Sequence, residues 1–478
     1  MLPSLVLGLL WTAICTAEEH TRLRVLVVGG GIGGLAAGKA AKNHGHSVQI
    51  FESRQRHRYG GVNYYLWRNG LNALKELGIS TGGLGLALSQ VRFFDADGKL
   101  IRNISLDASE PPWGVDVPRR ALLSRLQRPM RRHIHFGKEV AHIECRPMNV
   151  SVTFADGTTA EGDVLIGADG CSSTVRRLIF PEAPQPQEAP ATSIGGLIEL
   201  SPLHRSPPAR LLRECCRGRA FDYYLRAGVS MLLIPCAPHT VGWVFCVHEA
   251  LERRKCPHGA LAKCTPMEWK TFVEGQFRGF SVPMVSAVLS YIKWGAAEAS
   301  LKEAGDAHLA TTVSNAPVLW RWYDLPELPS YSSDGAVLIG DAAHCLLPTL
   351  GLGANSAIED AVLLFETLRH HGFGDKAAGV THRPVSLLPG SARLREGLSA
   401  YSELRRPRMA TMRLMGRKEL NKIYVNGPLG NLLRWALLRC ASDEAVFTGN
   451  AQLYGGYDGL KQFRQRLTHR KENMRPVE

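Results

Sequence analysis

The sequence predicts an α/β protein with a partly parallel sheet, and three apolar runs carry that prediction. Leu23–Val28 is a short, β-branched run that is followed at once by the glycine-rich turn GGGIGG. Ser47–Phe51 is a second such run, which ends in Glu52, and Ala336–Ile339 is a third. Short continuous apolar runs are typical of buried parallel strands. Because ligands of open α/β sheets bind beyond the carboxyl ends of the strands, the residues that follow each run form the candidate site.

The glycine-rich turn after the first run satisfies the pattern GxGxxG. Gly29 permits a tight turn and Gly31 lets the backbone approach a pyrophosphate, while Gly34 allows close packing of the helix that follows. That helix is predicted over Leu35–Asn43, and its N-terminus would stabilise phosphate charge. Glu52, after the second strand, is placed to accept hydrogen bonds from ribose hydroxyls. This order of elements predicts a dinucleotide site, although it does not separate FAD from NAD.

The third run leads into the stretch GDAAHCLLPTLGLGANSAIEDA, which begins at the carboxyl end of the predicted strand. Asp341 leaves a carboxylate at that end. A loop with Pro348, Gly351 and Gly353 follows, in which glycine lets the backbone approach a flat ligand closely. A helix is predicted to begin near Ala354-Asn355, so its free N–H groups and positive dipole end face the loop. Such a helix end suits a cofactor that becomes anionic, as a reduced flavin does.

This stretch resembles the second FAD motif of the class A flavoprotein monooxygenases, which are single-component FAD-dependent hydroxylases and epoxidases with the para-hydroxybenzoate hydroxylase fold. The resemblance covers most of Leu23–Arg408. It implies that Asp341 holds a sugar or ribityl hydroxyl of FAD, and that the loop from Pro348 to Asn355 lies against the isoalloxazine. His344, within the motif, is expected to have a structural place rather than the role of a base.

Three further segments resemble motifs of the same family. Gly60–Gly78 implies that Gly61 and Val62 lie near FAD. The segment VPRRALL implies that Arg119 approaches the phosphates or the ribityl chain, with Arg120 as the alternative. GDVLIGADGCSSTVR resembles the DG motif, which contributes to both FAD and NAD(P)H binding. The residues expected to bind the cofactor are Gly29, Gly31, Gly33, Gly34, Glu52, Gly61, Val62, Arg119, Asp163, Asp169, Gly170, Asp341, Pro348, Gly351, Gly353, Ala354 and Asn355.

The function that the resemblance implies is FAD-dependent, NAD(P)H-using monooxygenation. One oxygen atom of O₂ would enter an aromatic or alkene-containing small molecule through a flavin C4a-hydroperoxide, and the flavin itself would carry that chemistry. Two alternatives stay open: an FAD-dependent reductase or dehydrogenase on the same fold, and a non-catalytic FAD-fold scaffold. No catalytic side chain is assigned, and no metal is required.

The predicted architecture is a discontinuous, Rossmann-like FAD-binding domain joined to a β-sheet-rich substrate-binding domain. Residues 1–20 form an apolar leader, either a signal peptide or an anchor. Residues 21–82, 112–180 and 333–440 are assigned to the FAD-binding domain. Residues 83–111 and 181–332 are assigned to the substrate-binding domain, and residues 441–478 to a basic C-terminal tail.

Several other segments carry predictions that the structure can test. Hairpins are predicted at Leu84–Ile104 and around Pro235–Thr240, and the proline-rich Pro181–Pro190 is predicted as a connector between domains. Tyr401–Arg408 resembles a family helix that ends in Arg-Pro-Arg, and Asn426–Leu438 is apolar enough to lie on a surface or interface. Four aromatic residues at helical spacing are predicted to pack in the core: Trp269, Phe272, Phe277 and Phe280.

The composition limits the kinds of molecule that this protein is expected to bind. The 478 residues are 45% hydrophobic and 21% charged, as expected of a globular, core-forming protein, and their formal net charge is +14. No nucleic-acid motif accompanies the positive charge, so we expect no nucleic-acid partner and leave membrane association open. The eleven cysteines include no CxxC and suggest neither zinc nor a disulfide framework. The expected partners are O₂ and a hydrophobic or aromatic small molecule, and no protein partner is predicted.

The apolar segment Met1–Ala17 precedes the first predicted strand and carries no charged side chain. It is predicted to be a cleaved signal peptide, with an uncleaved anchor or a mis-assigned start codon as alternatives. The first two place the protein in the secretory pathway or at a membrane, and the third places it in the cytoplasm.

Overall fold

Runs of consecutive strands are separated by helices along the described part of the chain. The computed structural model describes residues 22–57, 62–106, 114–146, 148–201, 203, 205–296, 315–374, 390–423, 427–443, 445–446, 459–463 and 465. The strands are β1 Arg24–Val28, β2 Ser47–Glu52, β3 Asn63–Trp67, β4 Leu86–Ala87, β5 Gln90–Phe94, β6 Leu100–Ser105, β7 Gly114–Pro118, β8 Ile134–Phe136, β9 Val140–Arg146, β10 Asn149–Phe154, β11 Thr159–Gly162, β12 Val164–Gly167, β13 Gln187–Glu199, β14 Ala220–Arg226, β15 Val229–Ala237, β16 Thr240–His248, β17 Val318–Asp324, β18 Ser332–Ser333 and β19 Ala336–Leu338. The helices are α1 Ile32–Asn43, α2 Arg68–Glu76, α3 Arg119–Met130, α4 Thr174–Ile179, α5 Pro207–Gly218, α6 Glu249–Lys255, α7 Pro266–Phe277, α8 Pro283–Tyr291, α9 Asp341–His344, α10 Gly353–His370, α11 Gly390–Ile423 and α12 Pro428–Cys440.

A six-stranded sheet of order β18-β19-β12-β1-β2-β8 forms the first layer. Strand β1 pairs in parallel with both β12 and β2, while β18 joins β19 in the antiparallel sense. All four residues of β12 and all three of β19 are buried, as expected for strands covered on both faces. Helix α10 packs on α1 over this sheet. The structure therefore confirms the predicted α/β class and places the three apolar runs in one sheet, with β12 between β19 and β1.

A seven-stranded sheet of order β17-β13-β16-β15-β14-β5-β6 forms the second layer, and its pairs are antiparallel except for β14 with β5. Both predicted hairpins lie in it, as β5–β6 and β15–β16. Helices α5, α7 and α8 contribute to the apolar core on this sheet, where Trp269, Phe272, Phe277 and Phe280 are buried as predicted. Its strands fall within the segments assigned to substrate binding, but the domain boundaries themselves stay a prediction.

Two boundary predictions were wrong. The connector expected over Pro181–Pro190 ends early, because β13 already begins at Gln187. Proline has no N–H to donate to a sheet, and Pro190 lies where the pairing of β13 with β17 shifts register, between Glu188 and Thr192.

The helix predicted to end near Arg408 instead continues to Ile423, with Pro407 in its interior. Its core-facing residues Tyr401, Arg405, Met409 and Met412 are all buried. The free energy gained by burying this face exceeds the cost of the hydrogen bond that Pro407 cannot donate and of its steric clash with the preceding turn.

The predictions for the leader and for most of the tail concern residues outside the described ones. Among the described residues, no helix combines the length and apolarity that crossing a membrane requires. Helix α12, within the segment predicted to lie on a surface, does expose leucines: Leu429 is 68%, Leu432 60% and Leu433 62% exposed.

Candidate functional site: a cavity at the carboxyl edge of the parallel sheet

A cavity of about 830 Å³ opens where the parallel strands of the six-stranded sheet end. Because β2, β1, β12 and β19 pair in parallel, the residues that follow them meet at one edge. The cavity reaches from Glu52 past the glycine-rich turn to Trp320 on β17, so both sheets contribute to its wall. The predicted site residues that line it are Gly29, Gly31, Gly33, Glu52, Val62, Arg119, Asp169, Gly170, Asp341, Pro348, Gly351, Gly353 and Ala354.

The glycine-rich turn is built for close backbone approach. Gly29 has φ +110°, and a Cβ there would lie 2.3 Å from the carbonyl oxygen of Ala168. A Cβ on Gly34 would lie 1.8 Å from the carbonyl oxygen of Gly29, so Gly34 supports the turn from within α1 without facing the cavity. Among the described residues, no atom beyond Gly31 and its two chain neighbours lies within 4 Å of the Cβ position of Gly31, which lines the cavity. Helix α1 begins at the next residue, so its first amides point to the same space.

Glu52 lies on the other side of this turn and is only 8% exposed. Its Oε2 accepts the amide of Gly30 at 3.0 Å, and its Oε1 accepts the amide of Arg54 at 3.1 Å. These two bonds hold the carboxylate at the cavity wall. His57, which the sequence analysis did not assign, also lines this end of the cavity, and burial lowers the pKa of its imidazole.

Asp341 marks the opposite part of the site, directly after β19. Its side chain lines the cavity and is exposed there. Burial raises the pKa of its carboxyl, while the neighbouring His344 acts in the opposite direction. His344 Nε2 itself lies 2.6 Å from Oδ2 of the buried Asp360, which also accepts the amide of Gly340 at 2.8 Å. This arrangement fits the structural place expected for His344, because it fixes the turn that carries Asp341.

Two parts of the chain after α9 bring backbone groups to the cavity: a short 3₁₀ helix and the start of α10. Pro348 begins a short 3₁₀ helix, which ends at Gly351 with φ +62°, a conformation that favours glycine. Gly353 differs from the expectation, because its φ is not positive and an added Cβ would only touch Asp341 Oδ1 at 3.7 Å. The backbone therefore does not require glycine at 353. The amide of Ser356 donates to the carbonyl of Leu352 at 2.8 Å, so the earlier amides of α10 have no carbonyl within the helix to bond.

Asn355 does not line the cavity. Its Oδ1 accepts the amide of Trp67 at 2.9 Å, and its Nδ2 donates to the carbonyls of Tyr65 at 2.8 Å and Gly351 at 2.7 Å. The side chain thus ties β3 to the loop and to α10. Gly70 makes this possible, since a Cβ there would lie 2.0 Å from Asn355 Oδ1.

The prediction for Asp163 needs correction. Asp163 precedes β12 and therefore stands at the edge of the sheet away from the cavity. Its Oδ2 accepts the amide of Arg24 at 2.7 Å, and its Oδ1 pairs with the guanidinium of the same residue at 2.8 Å. A strand of four residues spans roughly 13 Å, so an acid at its start cannot reach a ligand at its end. The structure thus gives Asp163 a partner in the protein and no contact with the candidate site.

Asp169, at the carboxyl end of the same strand, does reach the cavity wall. Its carboxylate accepts hydrogen bonds from the hydroxyl of Ser173 at 2.5 Å and from the amides of Thr174 at 2.7 Å and Val175 at 3.0 Å. The side chain therefore caps α4, and its neighbour Gly170, with φ +88°, presents backbone to the cavity. This segment can contact a cofactor through its main chain.

Arg119 lies at the start of α3 and donates from Nε to the hydroxyl of Tyr64 at 3.0 Å. Both residues line the cavity, whereas Arg120 is exposed, so the structure favours Arg119 over the alternative. Val62 lines the cavity as well. Gly61, the other residue implied in this segment, lies outside the described residues.

Trp320 was also not assigned, although it lines the cavity from β17. A Cβ on Gly195, on β13, would lie 2.8 Å from the Trp320 ring. Glycine at this position therefore leaves the space that the indole occupies. With Val62, Leu346 and Pro348, Trp320 makes the end of the cavity beside the second sheet apolar.

These features fit a bound flavin dinucleotide, because the site offers glycine-lined space, free helix N-termini and acids at strand ends. The sequence matches the family described as FAD binding domain over residues 22–214 and 301–379. The chain belongs to this family.

Proteins of similar sequence and fold show which class of FAD-binding protein this is. The chain is 29% identical to the salicylate hydroxylase of Pseudomonas putida over 403 residues, which cover 81% of this chain and 82% of the relative. It is 26% identical to the FAD-dependent urate hydroxylase of Klebsiella oxytoca, with 73% and 82% covered. HpxO of Klebsiella pneumoniae, solved with FAD and uric acid, shares the fold with a TM-score of 0.72 at 21% identity, covering 92% of this chain and 98% of that one. The protein is accordingly a class A FAD-dependent monooxygenase, with FAD as cofactor and NAD(P)H as the reductant typical of the class.

Proposed function

We propose that this protein hydroxylates an aromatic small molecule at the Trp320 end of its cavity. The observation that carries the proposal is the apolar wall of Val62, Trp320, Leu346 and Pro348, which adjoins the loop before α10. The relatives support an aromatic substrate, since their names specify salicylate, urate and 3-amino-4-hydroxybenzoate. When bound, FAD supplies hydride acceptance from NAD(P)H and activation of O₂.

The residues of this chain would bind and orient the cofactor and exclude water. Asp341 would accept a hydrogen bond from a ribityl or ribose hydroxyl, and Glu52 would do so at the adenosine end. The first amides of α10 would stabilise negative charge on the flavin pyrimidine. The apolar wall would hold an aromatic ring and keep water from the reacting atoms.

The test is an assay of purified protein with a panel of phenols and heteroaromatic acids under ¹⁸O₂. We expect one substrate class to stimulate NAD(P)H oxidation, with a product that contains one labelled oxygen atom. Asp341→Ala removes an acceptor of a hydroxyl hydrogen bond, worth roughly 1–3 kcal/mol, so FAD affinity should fall about ten- to a hundredfold. Asp334→Ala is the matched control, because the Asp334 carboxylate forms an exposed pair with Arg395.

Two results would contradict the proposal. Stimulated NAD(P)H oxidation with a reduced product and no incorporated label would identify a reductase. Unchanged FAD affinity of Asp341→Ala in a titration of apoprotein would remove Asp341 from the cofactor site.

We also infer that α12 contacts an anionic membrane surface, and its exposed leucines support this. Leu429, Leu432, Leu433 and Leu437 recur at helical spacing, so they share one face, and the formal net charge of +14 would favour anionic lipid. The protein should sediment with phosphatidylserine-containing vesicles at low salt, and Leu432→Ser with Leu433→Ser should abolish this. Leu203→Ser, at an exposed leucine elsewhere, is the control. Failure of the wild-type protein to sediment would refute the inference.

A further inference from the structure

Two cysteine thiols face each other between α6 and α7, away from the flavin cavity. Cys256 follows the last residue of α6, and Cys264 stands just before α7. Their sulfur atoms are 2.8 Å apart, and both residues are buried. This distance is shorter than van der Waals contact between two sulfur atoms. A disulfide bond of about 2.05 Å would require the atoms to approach by less than about 1 Å.

The loop between the two cysteines is held by bonds that do not involve sulfur. Glu252 Oε1 accepts the amide of Leu261 at 2.6 Å, and its Oε2 accepts the hydroxyl of Thr192, on β13, at 2.7 Å. Trp269 Nε1 donates to the carbonyl of Leu261 at 2.8 Å. These contacts tie Leu261, between the two cysteines, to both flanking helices and, through Glu252, to β13. The thiols are therefore brought together by the fold itself, and a bond between them requires little backbone movement.

We propose that Cys256 and Cys264 form an intrachain disulfide that closes the loop between α6 and α7. A small-molecule disulfide such as oxidised glutathione is a sufficient oxidant. One thiolate attacks it and releases one reduced glutathione, and the second thiolate then attacks the mixed disulfide and releases another. Two protons leave the cysteines and two electrons pass to the glutathione, so the step balances.

The surroundings of the pair favour a durable bond over a fast redox sensor. Burial raises the pKa of the Cys264 thiol to about 12, and the adjacent Cys256 acts in the same direction. Thiols with a raised pKa are slow nucleophiles, and their reduced state gains no stabilisation as thiolate. Oxidation should therefore be slow, and the bond, once formed, should resist reduction.

A metal ion is the competing interpretation of the same cluster. His258 Nε2 lies 3.1 Å from Glu268 Oε1, and ligand atoms of these residues and Cys264 lie within 4.8 Å of one another. Two thiolates on one tetrahedral zinc ion, with Zn–S bonds of ~2.3 Å, lie about 3.8 Å apart. The observed sulfur–sulfur distance is 1 Å shorter than that. Glu268 Oε2 also accepts the amide of Thr265 at 2.7 Å in the cap of α7. The geometry thus favours the disulfide.

The experiment is differential alkylation of the full chain. Protein equilibrated with oxidised glutathione is denatured in excess N-ethylmaleimide, reduced, and then labelled with iodoacetamide. We expect the second label on Cys256 and Cys264, and a linked peptide pair distinguishes their disulfide from the mixed glutathione disulfide that the exposed Cys440 can form. Without reduction, digestion should yield the two cysteine peptides as one linked species. The N-ethylmaleimide label on both Cys256 and Cys264 would overturn the proposal.

Thermal unfolding supplies an independent readout. Dithiothreitol should lower the Tm of the oxidised protein by roughly 3 °C, because the closed loop no longer restricts the unfolded chain. The double variant Cys256→Ser, Cys264→Ser should show no such shift, whereas Cys440→Ser should behave like wild type. One zinc per chain in elemental analysis, lost in Cys264→Ser and in His258→Ala, would overturn the disulfide in favour of a metal site.

Discussion

Replacement of Arg405 by methionine is expected to destabilise the fold by roughly 3–5 kcal/mol, the range for breaking a buried ion pair. Arg405 is fully buried on α11, where its Nε donates to Asp360 Oδ1 at 2.6 Å and its Nη1 to Glu359 Oε2 at 2.8 Å. Both carboxylates belong to α10 and are themselves buried. Methionine would fill much of the volume but would leave two carboxylates without their main partner.

The matched control is Arg395→Met on the same helix. Arg395 pairs with Asp334 at 2.9 Å, but both side chains are more than half exposed, so water replaces the partner. An exposed pair of this kind contributes roughly 0–1 kcal/mol. Urea unfolding, followed by circular dichroism, measures both variants. Equal stability of the two would show that the buried network does not hold α10 against α11.

The difference in stability between wild type and Arg405→Met is expected to depend on pH. Burial by itself would raise the pKa of Asp360, but the nearby His344 and Arg405 and the hydrogen bonds to its carboxylate lower it below its usual value. A carboxyl with a lowered pKa in the folded state contributes stability above its unfolded pKa and loses it as the pH falls towards the folded pKa. The difference between wild type and Arg405→Met should therefore shrink below about pH 4.

Gly34→Ala is expected to abolish retention of FAD. The new Cβ would lie 1.8 Å from the carbonyl oxygen of Gly29 and 3.0 Å from its carbonyl carbon, and both atoms are backbone. The start of α1 or the turn before it must then move. The backbone amides that would bind the pyrophosphate move as a result. We expect FAD affinity to fall at least about a hundredfold, equivalent to ~2.7 kcal/mol. Flavin release on gel filtration and titration of apoprotein measure this.

Two further alanine variants separate misfolding from loss of the cofactor site. Gly275→Ala, in α7, should keep both fold and flavin, because its Cβ would meet no atom of another described segment within 4 Å. Gly31→Ala has equally free space in the protein but points into the cavity, so it should keep the fold and weaken FAD binding. Full FAD affinity in Gly31→Ala would place the pyrophosphate elsewhere.

The strand-loop-helix segments of the site could be predicted from the sequence because each is local. The strands β1, β2 and β19 began or ended within one residue of the predicted runs, and α10 began one residue before the predicted start. The requirement for glycine at turn positions such as Gly29 and Gly351 follows from the sterics of the backbone within a few residues. The carboxyl-edge rule then placed Glu52 and Asp341 at one cavity without knowledge of the packing.

The misplaced and missed residues depend on pairing across the chain. Asp163 and Asp169 both flank β12, and only its parallel pairing with β1 shows which of them faces the cavity. Trp320 reaches the site because β17 lies next to β13, far away in sequence. Pro407 stays within a helix because α11 buries its apolar face.

The sequence by itself determined the α/β class, the FAD-binding segments and the chemistry of the acids and glycines after the strands, because these depend on short-range patterns and on backbone sterics. Only the tertiary structure decided that Asn355 ties β3 to α10, that Arg405 neutralises Glu359 and Asp360, and that Cys256 meets Cys264. Each of these contacts joins side chains whose approach is set by how helices and strands pack. Such packing is a property of the assembled core and leaves no periodic signal in the chain.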